Sequence, residues 1–135
     1  MNIHPYRVIV TGSRDWQDIG IVRRALDEVL AVRPHNQPLV VVHGDCPTGA
    51  DIMAKAWALT TFTPACTDNF ERVTEEPHPA GWHLHGRKAG PIRNQNMVNK
   101  GADLCLAFIR NGSRGATGCA NLAEAAGIPT RRWTA

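Results

Sequence analysis

The sequence RVIVTGSR at residues 7–14 places a short apolar, β-branched run directly before a glycine and polar side chains. No polar residue interrupts residues 8–10, so both faces of this strand need a cover, as in a parallel sheet. A glycine after a buried strand lets the chain turn sharply and leaves backbone N–H groups open to a ligand. The stretch therefore predicts an α/β protein with polar groups at the end of its first strand.

The same alternation of apolar strands and amphipathic helices continues along the chain. It predicts a mostly parallel sheet of about five strands with helices on both faces. The predicted strands are residues 7–11, 39–43, 61–63, 103–109 and 128–133, and the predicted helices are residues 18–33, 50–60, 90–100 and 116–126. Between them, residues 64–88 are expected to form a long irregular loop, since three prolines punctuate a polar stretch.

Composition sets the class of protein. The chain has 135 residues, of which 43% are hydrophobic and 20% charged, as expected for one globular domain over residues 1–135. It contains no apolar run long enough to span a membrane, and residues 1–7 lack the apolar core of a signal peptide. We therefore expect a cytoplasmic protein without a membrane partner. Four cysteines without a CxxC pair predict free thiols.

The charge balance favours a small anionic ligand. The formal net charge is only +3, but 12 of the 15 basic residues are arginines, whose planar fork binds phosphate at two points. No run of basic residues is longer than two, so duplex nucleic acid is not expected as a partner.

Three clusters of glycine and polar residues each follow a predicted strand, at residues 11–16, 43–51 and 110–118. Because the carboxyl ends of parallel strands share one edge of the sheet, these clusters should meet where open α/β folds bind ligands. Residues 112–118, GSRGATG, open a helix and resemble a phosphate cradle, although they match neither a P-loop nor GxGxxG. A glycine linker before the helix is the alternative.

Individual residues in these clusters have both functional and structural interpretations. Gly12 could admit an anion or simply form a tight turn, and Asp51 could accept a ribose hydroxyl or cap a helix. Arg93 lies in the first turn of a predicted helix, where its charge opposes the helix dipole and needs a compensating anion or carboxylate. The predicted ligand-binding residues are Thr11, Gly12, Ser13, Arg14, Gly44, Asp45, Gly49, Asp51, Gly90, Arg93, Asn94, Gly112, Ser113, Arg114, Gly115 and Thr117.

Neither a metal site nor a cofactor is expected. His78, His83 and His85 lie close in sequence, but they lack the helical spacing and the nearby carboxylates that would complete a ligand set. Cys46 could be a nucleophile, but no dedicated base accompanies it, so we interpret it as a small buried residue.

An ordered set of motifs carries a resemblance to a known family. VTGSR at residues 10–14, HGD at 43–45, GAD at 49–51, HG at 85–86, AGPIRN at 89–94 and GAT at 115–117 together resemble the YspA-type, YpsA-related branch of the SLOG superfamily. The resemblance implies a single Rossmann-like domain, related to DprA/Smf and LOG proteins. It also implies binding of a nucleotide or a nucleotide-derived small molecule, as a sensor, carrier or sponge.

The resemblance leaves an enzymatic alternative open, a LOG-like nucleotide N-glycosidase or phosphoribohydrolase. LOG enzymes carry PGGxGTxxE, but here the position three residues after Thr117 is Ala120, and Glu124 lies one helical turn further on. Arg93 could replace the helical arginine of those enzymes. The candidate catalytic residues are therefore Arg93, Glu124 and Asp45, and Asp51 could also supply the missing acid.

Two further expectations follow from the same relatives. Single-stranded DNA binding is the weaker alternative, in which Trp16 and Trp82 would stack on bases while Trp57 and Trp133 belong to the core. A homo-oligomer is also expected, and the apolar face of the helix at residues 116–126 could form either its interface or part of the core.

Overall fold

A computed structural model describes residues 4–61 and 72–135. It contains five strands, β1 Tyr6–Gly12, β2 Leu39–His43, β3 Val73–Pro77, β4 Leu104–Ile109 and β5 Thr130–Thr134. The helices are α1 Ile19–Val32, α2 Ala50–Thr61, α3 Trp82–His85, α4 Ala89–Asn99 and α5 Arg114–Ala125, and the 3-10 turn Gly86–Lys88 joins α3 to α4. All neighbouring strands are parallel, so the predicted Rossmann-like α/β fold is confirmed.

Helices cover both faces of the sheet, as the uninterrupted apolar strands predict. Val8 and Val10 of β1 point to one face, where they belong to a core cluster with buried residues of α1 and α2. Ile9 points to the other face and packs in a cluster with residues of α4 and α5. The side chains of a strand alternate between the two faces, so β1 can contribute to both halves of the core.

The strand order creates a crevice between β1 and β4. The order is β3-β2-β1-β4-β5, so the chain builds outward from β1 to β3 and then returns to the other side of β1. At such a reversal the connections leave in opposite directions, and a crevice opens beyond the carboxyl ends of the two central strands. The crevice is bounded by the residues that follow β1 and β4.

The predicted irregular loop at residues 64–88 is wrong in its second part. Residues 73–77 form the edge strand β3, and α3 and the 3-10 turn follow it. The sequence VTEEP contains two carboxylates and a proline, which are tolerated in an edge strand. Because it is not an apolar run, the sequence pattern did not indicate a strand there. In the predicted strand at residues 61–63, Thr61 instead ends α2; residues 62–71 lie outside the described part.

Side-chain caps set the starts of two helices. Asp18 accepts from the backbone N–H of Ile21 at 3.1 Å and caps α1. Ser113 caps α5 by accepting from the N–H of Ala116 at 3.5 Å, so this helix begins at Arg114, two residues before the predicted start at residue 116. Its cap therefore lies at the end of the glycine-rich turn after β4.

An ion-pair network ties β3 to β1. Arg7 on β1 donates two hydrogen bonds to the carboxylate of Glu76 on β3, at 2.9 and 2.8 Å, and it donates a third to the carbonyl of Gly101 at 2.9 Å. His78 Nε2 lies 2.7 Å from the same carboxylate. The hydrogen bonds from Arg7, followed by that of His78, lower the pKa of Glu76 from 4.5 to about 2 even though burial opposes the shift.

We expect Glu76→Gln to lower the free energy of unfolding at pH 7 by about 1 kcal/mol, because both partners are still partly in water. Since the pKa of Glu76 is depressed in the folded state, its contribution is complete above pH 4.5 and is lost as the pH falls towards 2. Urea unfolding of the original protein and of Glu76→Gln across this range should therefore show that the difference between their free energies of unfolding decreases as the pH falls. Glu28→Gln, which removes an exposed partner of Arg131, is the control and should have almost no effect. If the difference in free energy of unfolding were the same at every pH, the stabilising role assigned to the ionised Glu76 would be wrong.

Candidate functional site

A cavity of about 760 Å³ lies at the carboxyl end of β1, and residues that follow β2 and β4 also line it. Its size is within the roughly 300–1,000 Å³ of small-molecule sites. Turns after three strands and the start of α4 contribute to it, as the convergence argument predicts. The predicted site residues that line it are Thr11, Gly12, Arg14, Gly44, Asp51, Gly90, Arg93, Asn94, Ser113, Arg114 and Gly115.

Five predicted site residues are not among those that line the cavity, namely Ser13, Asp45, Gly49, Gly112 and Thr117. Ser13 differs most from its expected role as a hydroxyl donor to the ligand. Its side chain is buried, and Oγ accepts from the backbone N–H of Arg110 at 2.7 Å. Ser13 therefore joins the turn after β1 to the turn after β4 and holds the walls of the cavity together.

Gly12 and Gly49 allow α2 to approach the end of β1. A Cβ at Gly12 would lie 2.2 Å from the Cβ of Ala50, the first residue of α2. Gly49 has φ +77°, and a Cβ there would lie 2.1 Å from the carbonyl oxygen of Ser13. Both glycines therefore serve close backbone packing, and Gly12 also faces the cavity.

Asp45 lies behind the cavity wall in a polar cluster. Its carboxylate accepts from Lys55 Nζ at 3.2 Å, and its backbone N–H donates to Nδ1 of His43 at 3.0 Å. Because Nδ1 is an acceptor, Nε2 of the buried His43 carries the proton and donates to Glu75. Asp45 is thus engaged in holding the turn after β2, which leaves it poorly placed as a catalytic acid.

Glu124 also lies away from the cavity. Its carboxylate accepts from Arg132 at 2.6 and 3.0 Å, so it joins α5 to β5 on an exposed part of the surface. Of the three candidate catalytic residues, Arg93 alone lines the cavity.

Arg93 and Asp51 meet over Gly44. Arg93 Nη1 donates to the carbonyl of Gly44 at 2.5 Å, and its Nε donates to Oδ1 of Asn94 at 2.7 Å. A Cβ at Gly44 would lie 2.3 Å from Nη1 of Arg93 and 2.9 Å from Oδ2 of Asp51, so a larger residue would displace the ends of these side chains. The contact with the Gly44 carbonyl orients the guanidinium of Arg93 at the cavity wall.

Asp51 supplies a buried acid to the cavity. Its side chain is 5% exposed and accepts from the backbone N–H of Cys46 at 3.4 Å. Burial raises the pKa of Asp51 above its usual value, although the hydrogen bond from Cys46 and the charge of Arg93 oppose the shift. A carboxyl group in this setting can hold or release a proton within the site.

Cys46 lines the cavity but is not an activated nucleophile. Burial and the neighbouring Asp51 raise the pKa of its thiol, whereas a nucleophilic cysteine needs a depressed pKa. This agrees with its interpretation as a small residue without a base, although it is only half-buried. Cys46, Cys105 and Cys119 carry free thiols, and Cys66 lies outside the described residues.

The charge around the cavity is mostly positive. Four arginines line it, Arg14, Arg87, Arg93 and Arg114, against the carboxylates of Asp15 and Asp51. Arg114 is also the first residue of α5, whose free N–H groups and dipole attract anions. Arg87 and Asp15 were not among the predicted site residues, although both belong to segments that the sequence singled out.

Trp82 is the aromatic side chain of the cavity. It is 47% exposed, and the guanidinium of Arg14 lies 5.2 Å from the centre of its ring. Trp16, which was expected to be able to stack on a base, is instead buried in the core. As expected for core residues, Trp57 is buried and Trp133 stacks on Phe108 with ring centres 4.7 Å apart.

The cavity also has apolar walls that the sequence did not predict. Met97 of α4 and Leu122 of α5 line it, but their helical spacing is the same as that of core residues.

The buried residues of α5 face its own sheet, so this face belongs to the core rather than to an interface. These residues are Ala116, Cys119, Ala120 and Ala123. Within the two described ranges, no group of three or more His, Cys, Asp or Glu side chains could hold a metal ion.

No helix in the described part of the chain is long and apolar enough to cross a membrane.

A comparison with solved structures found no significant match. The chain is 45% identical over 123 residues to the "Gene 61 protein" of Mycobacterium phage D29, and the match covers 91% of this chain and 92% of that protein. Residues 6–85 match the family described as YspA, cpYpsA-related SLOG. Because this match covers more than half of the chain, the chain belongs to the YspA, cpYpsA-related SLOG family.

Proposed function

We propose that this protein binds a nucleotide or a nucleotide-derived small molecule in the cavity between the ends of β1 and β4, as a sensor or carrier of that ligand. Membership of the SLOG family links the chain to nucleotide-related ligands in general. The observation that carries the proposal is the union of four arginines, a helix N-terminus and an exposed tryptophan in one cavity. The arginines and the helix N-terminus suit a phosphate, and the tryptophan suits a base.

The N-terminus of α5 is the proposed phosphate subsite. Backbone N–H groups in a first helical turn have no partner within the helix, and the dipole adds to their attraction for an anion. Arg114 lies in that turn, and Arg14 from the turn after β1 and Arg93 from α4 line the same cavity. Guanidinium groups bind phosphate with two parallel hydrogen bonds, which suits a compact anion with several oxygens.

Gly118→Leu is expected to lower the affinity for a nucleotide at least about tenfold without unfolding the protein. Gly118 faces the cavity, and a Cβ there would meet no atom within 4 Å, so a leucine side chain would occupy the ligand's space. Leucine favours the helix, with a gain of roughly 0.5–1 kcal/mol over glycine. Isothermal titration against a panel of nucleoside mono- and diphosphates and ADP-ribose, together with thermal melting, measures both effects.

Gly118→Ala is the matched control, because it makes the same gain in helix propensity and adds only one methyl group. It should bind nucleotides nearly as well as the original protein. If Gly118→Leu binds as tightly as Gly118→Ala, the ligand does not occupy this cavity. If the original protein binds no member of the panel at millimolar concentration, the proposed function is wrong.

The arrangement of Asp51 and Arg93 favours a nucleotide N-glycosidase as the second candidate. Asp51 is a buried acid with a raised pKa, and general acids that protonate a leaving base have this character. Arg93 beside it could bind the phosphate of the nucleotide. The discriminating measurement is chromatographic detection of free base released from nucleotides by the purified protein. Release that disappears in Asp51→Asn would establish the enzyme, and absence of release leaves the binding function alone.

A further inference from the structure

We propose that Trp82 is the platform on which the base of the ligand stacks, so that the ligand lies with its base at α3 and its phosphate at the start of α5. The assignment rests on the proposed function and adds an orientation and a ligand class to it. It requires a ligand with an aromatic base, because a sugar phosphate has no aromatic face to stack on an indole ring.

The exposure of Trp82 is the first argument. Large aromatic side chains normally bury 150–250 Å² each, yet 47% of this residue faces solvent. Trp82 is one of the residues that line the cavity. By contrast, the indole N–H groups of Trp16 and Trp57 donate within the fold, to Asp18 and Asp27 at 2.9 Å each. Trp82 is therefore the tryptophan of the described chain that lines the cavity.

The second argument is the support behind the ring. A Cβ at Gly90 would lie 3.6 Å from Cη2 of Trp82, so the edge of the ring rests against the first turn of α4. Arg93 follows one turn later on the same helix and also lines the cavity. The position of Trp82 is thereby fixed relative to the charged groups, as a stacking surface needs.

The third argument is the guanidinium of Arg14. It lies 5.2 Å from the ring centre, which leaves too little room for a base between the two groups. Arg14 is exposed, and its planar cation shields the ring by a cation–π contact in the free protein. When a base takes this place, Arg14 becomes available to the phosphate of the same ligand. Base stacking and phosphate binding are thereby coupled through one side chain.

The test compares two ligands that differ only in the presence of a base, the tightest-binding nucleoside monophosphate of the panel and ribose 5-phosphate. We expect Trp82→Ala to weaken the nucleotide roughly 10- to 100-fold and to change the affinity for ribose 5-phosphate by less than about threefold. Trp82→Phe should retain most of the nucleotide affinity, because it keeps an aromatic face. Leu84→Ala is the control, since Leu84 lies on the same short helix, is 83% exposed and does not line the cavity.

The outcomes separate the orientation from the function. Equal losses for both ligands in Trp82→Ala, or no loss for either, would overturn the stacking role while nucleotide binding stands. A nucleotide affinity that falls as far in Trp82→Phe as in Trp82→Ala would overturn it as well. If the original protein binds neither a nucleotide nor ribose 5-phosphate, the proposed function fails, and the orientation fails with it.

Discussion

Reversing the charge of Arg114 should lower the affinity for a nucleoside phosphate by about 100-fold or more without destabilising the fold. Arg114 is exposed, lines the cavity and is the first residue of α5. A hydrogen bond to a charged group contributes roughly 1.5–3 kcal/mol, and a glutamate there would repel the phosphate as well as remove that bond. At a helix N-terminus, however, a carboxylate is more favourable than a guanidinium by about 0.3–1 kcal/mol. Binding and stability should therefore change in opposite directions.

The measurement pairs isothermal titration with urea unfolding in one buffer. Arg24→Glu is the control, because it makes the same change in net charge at an exposed position of α1 that does not line the cavity. It should alter the affinity by less than about threefold at physiological salt, where distant charges are screened. If both variants lose affinity equally, the effect comes from the net charge of the protein and the phosphate subsite is wrongly assigned.

The second large effect concerns the packing of the turn before α2 against the end of β1. We expect Gly49→Ala to lower the free energy of unfolding by about 3 kcal/mol or more. Gly49 combines φ +77° with a Cβ position 2.1 Å from the backbone oxygen of Ser13. An alanine would bear the cost of the left-handed conformation, roughly 1–2 kcal/mol. It would also push the turn before α2 away from the end of β1, where no flexible side chain can give way.

Gly112→Ala separates the two costs. Gly112 has φ +61°, but a Cβ there would meet nothing within 4 Å, so only the conformational cost of about 1 kcal/mol remains. The free energies of unfolding of the two variants, measured in urea, should therefore differ by about 2 kcal/mol. We assign this difference to steric overlap between the turn before α2 and the turn after β1. Equal destabilisation would mean that the turn before α2 can move away from Ser13 without cost.

The sequence predicted a strand accurately where the strand is a continuous run of apolar residues. β1, β2 and β4 lie within a residue of their predicted bounds because each is an apolar run with two covered faces. β3 was missed because its central residues are Thr74, Glu75 and Glu76, a pattern also found in loops. Glu76 is stabilised there by Arg7, 69 residues away in the sequence, and no local window contains that partner.

The candidate site was predictable as a region more than as a set of side chains. The convergence of the turns after β1, β2 and β4 follows from parallel topology alone, and eleven of the sixteen predicted ligand-binding residues line the cavity. Trp82 was identifiable as a base-stacking residue by type, but its sequence neighbours give no sign that it lies over this cavity rather than on an outer surface.

Hydrophobic periodicity and glycine positions are local properties. The α/β class, the parallel sheet, the family resemblance and the sheet edge expected to bind a ligand could therefore be derived from the order of the amino acids. The availability of the polar side chains could be read only from the folded chain, because it depends on partners that folding brings from distant segments. Ser13 Oγ accepts a hydrogen bond from the backbone of Arg110, 97 residues away, and the carboxylate of Glu124 on α5 accepts one from Arg132 on β5.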